Sequence, residues 1–185
     1  MDNRTRILEC ALLLFSARGY DAVGIQEIVV TAGVTKPTLY HYFNSKRGLL
    51  DALLEGEFSG FGEALRQAAA DPRNLPMTLE RVIQVYFDFA ARRPQFYRLR
   101  LGMVFAPPES EANQAVMGYL HEQFGLVEAL FAQALSHMSR RRQAYAASFI
   151  GMIDTYIGLF LNQEIELSDE LVRQAAHQFM HGIYS

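Results

Sequence analysis

The chain has 185 residues, 50% of them hydrophobic, with 17 Lys/Arg against 20 Asp/Glu, a formal net charge of -3 and one cysteine. That composition excludes a disordered chain and supplies the apolar side chains for a substantial core, while a lone cysteine excludes an internal disulfide and a cysteine-rich zinc site. The nearest approach to the roughly 18–20 apolar residues that cross a bilayer is Ala144–Leu161, interrupted by Ser148, Gly151, Asp154, Thr155 and Gly158. The opening MDNRTR lacks the apolar stretch of a signal peptide. The expectation is a cytoplasmic protein with no membrane partner.

Glycine and proline fall mostly between periodic stretches and β-branched alternation is scarce, so an all-α fold is predicted. The first helix is expected over about Arg4–Arg18, with Ile7, Ala11, Leu14 and Phe15 as its inner stripe and Gly19 as its stop. A short second helix over about Ile25–Thr31 buries Ile25, Ile28 and Val29, and Ala32-Gly33-Val34 makes a tight turn. Thr35 caps a third helix to about Phe43, with Pro37 in its first turn. Ser45 caps a fourth, from Lys46 to about Ala70, which DPRNLP ends. Further helices are expected over about Thr78–Arg92, Pro94–Val104, Ser110–Ser136, Arg140–Asn162 and Ser168–Tyr184.

Charge is unevenly placed along these elements. Residues 1–50 carry six Lys/Arg against four acids, and the remainder eleven against sixteen. A basic end on an acidic body suggests that one end meets a polyanion. Two short helices around an Ala-Gly-Val turn form a helix-turn-helix, whose second helix enters the DNA major groove. Val34, Leu39 and Phe43 are spaced to pin that helix inward, which leaves Thr35, Lys36, Thr38, Tyr40, His41 and Tyr42 mostly outward. Such groups suit phosphate oxygens and base edges. Lys46 opens the next helix, where backbone N–H groups also favour a phosphate.

The stretch AGVTKPTLYHYFNSKRGLL, with ILECALLLFSARGYDAVGIQEIVVTAGV before it, resembles the DNA-binding region of the TetR family of bacterial transcriptional repressors over about Arg4–Leu53. The resemblance implies an N-terminal three-helix DNA-binding domain, residues 1–62, followed by a helical ligand-binding and dimerisation domain, residues 63–185. It implies that Thr38, Tyr42 and Lys46 hold phosphates, and that Lys36, Pro37, Tyr40 and His41 lie where the helix approaches bases or adjacent backbone. The family usually has Thr or Ser near Val23-Gly24 to cap the second helix and touch a phosphate, and a small Ala where Val29 stands. Fewer phosphate contacts and altered packing of the two motif helices are therefore expected here.

Beyond about residue 62 the chain is rich in Phe, Tyr and Met. Packing explains any one of them, but as a set Phe87, Tyr97, Met103, Met117, Phe124, Phe149, Met152 and Tyr156 are candidates to line a cavity for an apolar or aromatic small molecule. The resemblance strengthens that reading, because TetR-like proteins usually bind an inducer in this domain. On the helix near 140–162, Ala147, Gly151, Thr155 and Gly158 make a face of small residues beside Tyr145, Phe149, Met152, Tyr156 and Phe160. Small faces let another helix approach closely. With Leu171, Ala175 and Phe179 of the last helix they are the candidate homodimer interface, as the family's dimerisation through its last two helices implies. Packing within the subunit is the alternative. A two-fold dimer would read a near-palindromic double-stranded operator.

Asp154 either binds a cation or a ligand amine or belongs to a buried polar network, and the network is preferred because charges near cores are usually paired. His177 and His181 have the i, i+4 spacing of a metal pair but no obvious third ligand, so neither a metal nor a cofactor is expected. Cys10 is read as a structural thiol. With no nucleophile elbow, phosphate-cradling glycine loop or HExxH pattern, an enzyme is not expected. The expectation is a homodimeric repressor released from its operator by a small apolar ligand. The alternative is a DNA-binding protein of the same fold that acts constitutively or under a protein partner.

Overall fold

The computed structural model of the protein describes residues 2–134 and 141–182. Among these it contains nine helices and no strand: α1 (Asn3–Arg18), α2 (Ile25–Ala32), α3 (Lys36–Phe43), α4 (Lys46–Ala69), α5 (Leu75–Arg92), α6 (Pro94–Val104), α7 (Glu111–Ala134), α8 (Arg142–Leu161) and α9 (Asp169–His181). The all-α expectation is met. Three expected helix ends, Ser136, Arg140 and Tyr184, lie outside the described residues.

Local chemistry sets the boundaries. Asp2 caps α1 by accepting the Thr5 N–H at 2.7 Å, and Gly19, at φ 82°, ends it. The buried stripe of α1 is Ile7, Ala11, Leu12 and Phe15. Leu14 is only half-buried, because the stripe turns toward Leu12 where α2 and α3 pack on α1. Helix α5 begins at Leu75, three residues before the expected Thr78. Asn74 accepts the Met77 N–H at 3.3 Å, and Pro76 occupies the first turn, where its missing N–H leaves no bond unmade. Ser168 caps α9 by accepting the Leu171 N–H at 3.2 Å.

The chain packs as two compact units: Met1–Ser59 with Gln95–Gly118, and Gly60–Pro94 with Tyr119–Ser185. Helices α1, α2 and α3 pack on one another in the first, around fully buried Ile7, Ile28 and Leu39. In the second, α5 packs on α9 and α8. Phe131, Phe149 and Phe179 form an aromatic cluster there, with ring centroids 4.9–5.9 Å apart.

The buried face of α8 is Ala146, Phe149, Ile153 and Ile157. The expected aromatic face is thus displaced: Phe149 belongs to it, whereas Tyr145, Met152, Tyr156 and Phe160 flank it half-buried. Contrary to the reading of interrupted hydrophobicity, α8 is long and apolar enough by length and composition to cross a bilayer, with mean hydropathy 1.4 over an 18-residue window. Its interrupting residues are mostly small, and Asp154 carries the only charge between Ala144 and Leu161. Only 22% of that window is buried.

Candidate nucleic-acid interface

The helix-turn-helix is built by two unlike turns. Between α2 and α3, Gly33 adopts the left-handed conformation, φ 61° and ψ 39°, and returns its N–H to the Val30 carbonyl at 3.1 Å. The Val34 N–H reaches the Val29 carbonyl at 3.0 Å, so the orphan carbonyls of α2 are satisfied as the chain reverses. Between α3 and α4, Asn44 at φ 61° donates its N–H to the Tyr40 carbonyl at 2.9 Å. Ser45 then caps α4 by accepting the Gly48 N–H at 2.9 Å.

Leu39 and Phe43 anchor α3, at 0% and 4% exposure, with Val34 half-buried beside them. The Arg4 guanidinium lies 5.7 Å from the Phe43 ring centroid and ties α1 to the end of α3. What remains faces solvent: Thr35, Lys36, Pro37, Tyr40, His41 and Tyr42 are exposed, and Thr38 is half-buried. Thr35 does two jobs. Its hydroxyl accepts the Thr38 N–H at 3.4 Å and lies 2.9 Å from the Thr38 hydroxyl, which orients both groups at the start of α3. Helix α3 carries no acidic residue, so nothing on it repels a phosphate. The predicted DNA-facing residues from Lys36 to Tyr42 therefore share one short cationic and aromatic helix, with Thr35 as its N-cap.

Lys46 is placed differently from its neighbours. It is half-buried, with Nζ 4.1 Å from the Tyr20 ring centroid and 6.0 Å from that of Phe15. Burial lowers its pKa below the usual lysine value, while Asp21 and Glu111 favour the charge and oppose that shift. Tyr20, 3% exposed, donates its hydroxyl to Glu111 Oε2 at 2.7 Å. Burial first, and then the carboxylate acceptor, push this phenol well above the ordinary tyrosine value. The neighbouring Arg47 is engaged by Asp51 at 2.8 Å. Sequence patterning did not single out Tyr20, Glu111 or Gly48. The only local signal was an aromatic directly after the Gly19 stop.

The departures at the start of α2 have a structural outcome. Gly24 is the N-cap and makes no side-chain cap bond, while Val23 turns inward at 1% exposure. Neither side chain offers a hydroxyl to the start of α2. Val29 is likewise buried, at 3%.

The other candidate residues divide between the units. Tyr97, Met103 and Met117 belong to the first, and Phe87, Phe124, Phe149, Met152 and Tyr156 to the second. Phe87 and Tyr156 meet edge to face at 6.4 Å, and Phe149 sits in the Phe131–Phe179 cluster, so these three are engaged in packing. Met103 lines a half-open cavity of about 430 Å³ whose other walls come from none of the remaining seven. Of the candidate interface, Ala147, Gly151 and Thr155 are exposed, and Gly158, Leu171 and Phe179 half-buried. Ala175 is fully buried on the face of the helix that packs on α5, so it cannot lie on an outward interface. Thr155 returns its hydroxyl to the Gly151 carbonyl at 2.8 Å, and Tyr156 donates to Gln178 Oε1 at 2.9 Å. The rings of His177 and His181 lie 4.7 Å apart. Among the described residues, no group of three or more His, Cys, Asp or Glu is placed to hold a metal ion.

Residues 7–53 match the profile of bacterial regulatory proteins of the tetR family. The HTH-type transcriptional activator FasR of Mycolicibacterium smegmatis is 36% identical over 98 residues, 53% of this chain and 45% of FasR. The HTH-type transcriptional regulator EthR of the same organism is 25% identical over 179 residues, 95% of this chain and 75% of EthR. Among solved structures, a transcriptional regulator FadR from Bacillus subtilis in complex with stearoyl-CoA superposes with a TM-score of 0.79 at 18% identity, over 97% of this chain and 99% of that one. The match to the tetR family covers the helix-turn-helix region, residues 7–53. The relatives named here are regulators of transcription, not enzymes. The chain spans less than half the length of FasR.

Proposed function

We propose that the protein is a homodimeric transcriptional regulator, a repressor that leaves a near-palindromic operator when an apolar ligand binds its helical domain. The observation that carries this reading is the α3 surface: a proline-started helix without acids, anchored by Leu39 and Phe43 and presenting Lys36, Tyr40, His41 and Tyr42 outward. The functional division is residues 1–62 for DNA and 63–185 for ligand and dimer. Thr38, Tyr42 and Lys46 hold phosphates, and Lys36 with Pro37 meets base edges. Dimerisation uses the outward small-residue face of α8, where most of an apolar helix lies uncovered. A cytoplasmic location follows from a DNA-binding role.

The solved neighbours support an acyl chain as the kind of apolar ligand, since one is titled a putative fatty acid metabolism regulator and another is a stearoyl-CoA complex. Helix α4 runs unbroken from the first unit into the second. A ligand that tilts it would change the spacing of two recognition helices, provided it favours the non-binding spacing. The test is selection of bound sequences from a random duplex pool at fixed salt, followed by titration with long-chain acyl-CoA. An enriched near-palindrome that the ligand releases is the expected result. No enrichment by folded protein, or equal affinity with and without ligand, would sink the corresponding half of the reading.

A further inference from the structure

The chain has two lysines in all, Lys36 and Lys46, and both fall in the helix-turn-helix region. Lys36 is exposed on the first turn of α3. Lys46 has a surface to rest on. Its backbone is fixed at the start of α4, where Ser45 accepts the Gly48 N–H at 2.9 Å and the Leu49 N–H at 3.0 Å. A flexible four-carbon stem still separates that backbone from the ammonium. The face of Tyr20 restricts the stem, for Nζ stands 4.1 Å from the ring centroid, within the range of a cation–π contact. The ring is held in turn. It is 3% exposed, meets the Phe15 ring at 5.2 Å, and donates its hydroxyl at 2.7 Å to Glu111, the first residue of α7. All of these residues lie in the first unit. An ion pair would also place an ammonium, but against an opposite charge. Arg47, the next residue, is held in that way by Asp51 at 2.8 Å. A π face attracts the ammonium while leaving its outward N–H groups for another acceptor.

We infer that Tyr20 is a positioning residue for DNA binding, whose ring face holds the Lys46 ammonium where a backbone phosphate meets it. The inference rests on the phosphate role proposed for Lys46. A side chain ordered before binding loses less freedom when its partner arrives, and the gain is roughly two- to tenfold in affinity per side chain. Tyr20 is buried and touches no DNA in this arrangement, so its effect passes through Lys46. The ring does the positioning, and the bond to Glu111 satisfies the buried phenol.

The experiment measures affinity of the full chain for the selected duplex over a salt series. Wild type is compared with Tyr20→Leu, Tyr20→Phe, Lys46→Ala and the double variant Tyr20→Leu/Lys46→Ala, and circular dichroism melts establish which are folded. Tyr20→Leu is expected to weaken binding about threefold or more, and Tyr20→Phe, which keeps the ring, to stay within about twofold of wild type. In the Lys46→Ala background Tyr20→Leu is expected to cost nothing further, because the two residues act as one unit. A second readout needs no DNA. With two lysines in the chain, 13C-lysine labelling gives two Cε–Hε signals, assigned through Lys46→Ala. The Lys46 signal is expected upfield of that of Lys36 in wild type and in Tyr20→Phe, shifted by the ring current of the aromatic face beneath it. Wild-type affinity in Tyr20→Leu, an equal loss in both backgrounds, a loss in Tyr20→Phe as large as in Tyr20→Leu, or a Lys46 signal without the upfield shift overturns the inference alone. Unchanged affinity and salt slope in Lys46→Ala overturn the phosphate contact, and the inference with it. If Tyr20→Leu is unfolded, Tyr20→Phe affinity and the Lys46 signal decide on the same terms.

Discussion

Two lysines near the recognition helix differ in surroundings. Lys36 is exposed on the first turn of α3, whereas Lys46 is half-buried over Tyr20. Their substitutions should therefore separate. Lys46→Ala is expected to weaken binding to all duplexes and to reduce the slope of log affinity against log salt by about 0.9, the value of one phosphate contact. Unchanged salt dependence would remove Lys46 from the interface. Lys36→Ala is expected to change the base preference at one operator position per half-site, measured by repeating the sequence selection. An identical preference profile would assign Lys36 to the backbone or to solvent. Tyr20→Phe keeps the ring under Lys46 but loses the bond to Glu111. Because Glu111 is itself exposed, the expected loss in stability is only about 1 kcal/mol, read from denaturant unfolding.

At the level of elements, the α3–α4 turn is the most constrained join in the motif. A Cβ on Gly48 would stand 2.1 Å from the Phe43 carbonyl oxygen, which is backbone and has little freedom to yield. Gly48→Ala should therefore destabilise by about 1–3 kcal/mol despite the better helix propensity of alanine. It should also weaken DNA binding by displacing α3. A variant as stable as wild type would show that the turn relaxes freely. The start of α2 is the opposite case: Gly24 is extended, at φ -92° and ψ 153°, with open space around its Cβ position. Gly24→Ser should supply the missing cap and raise stability by about a few tenths of a kcal/mol, measured as a higher denaturation midpoint.

For the whole molecule, α8 presents the clearest demand. It is apolar enough for a bilayer, yet 22% of its apolar window is buried, and its outward face carries Ala147, Gly151 and Thr155. In the proposed dimer a second copy covers that face. Gly151→Arg is therefore expected to convert the protein to a 20.9 kDa monomer in sedimentation equilibrium and to abolish preference for a full near-palindrome over a half-site. A dimer that survives this change places the interface elsewhere.

Local sequence determined what short-range physics decides. Helix class, the Gly33 turn, the caps at Thr35, Ser45 and Ser168, and the outward set on α3 were legible because each depends on residues a few positions apart. Register against a distant partner was not legible. Leu12 replaced Leu14 in the stripe of α1, Ile153 and Ile157 took the inner face assigned to aromatics on α8, and Ala175 turned inward. Periodicity fixes which residues share a face, but only the neighbouring helices decide which face is buried. The same limit hid the Lys46–Tyr20–Glu111 arrangement, whose members lie 26 and 91 positions apart along the chain, and the cavity walled by α1 and α6. Such groupings are made when chain segments meet, and no local pattern encodes them.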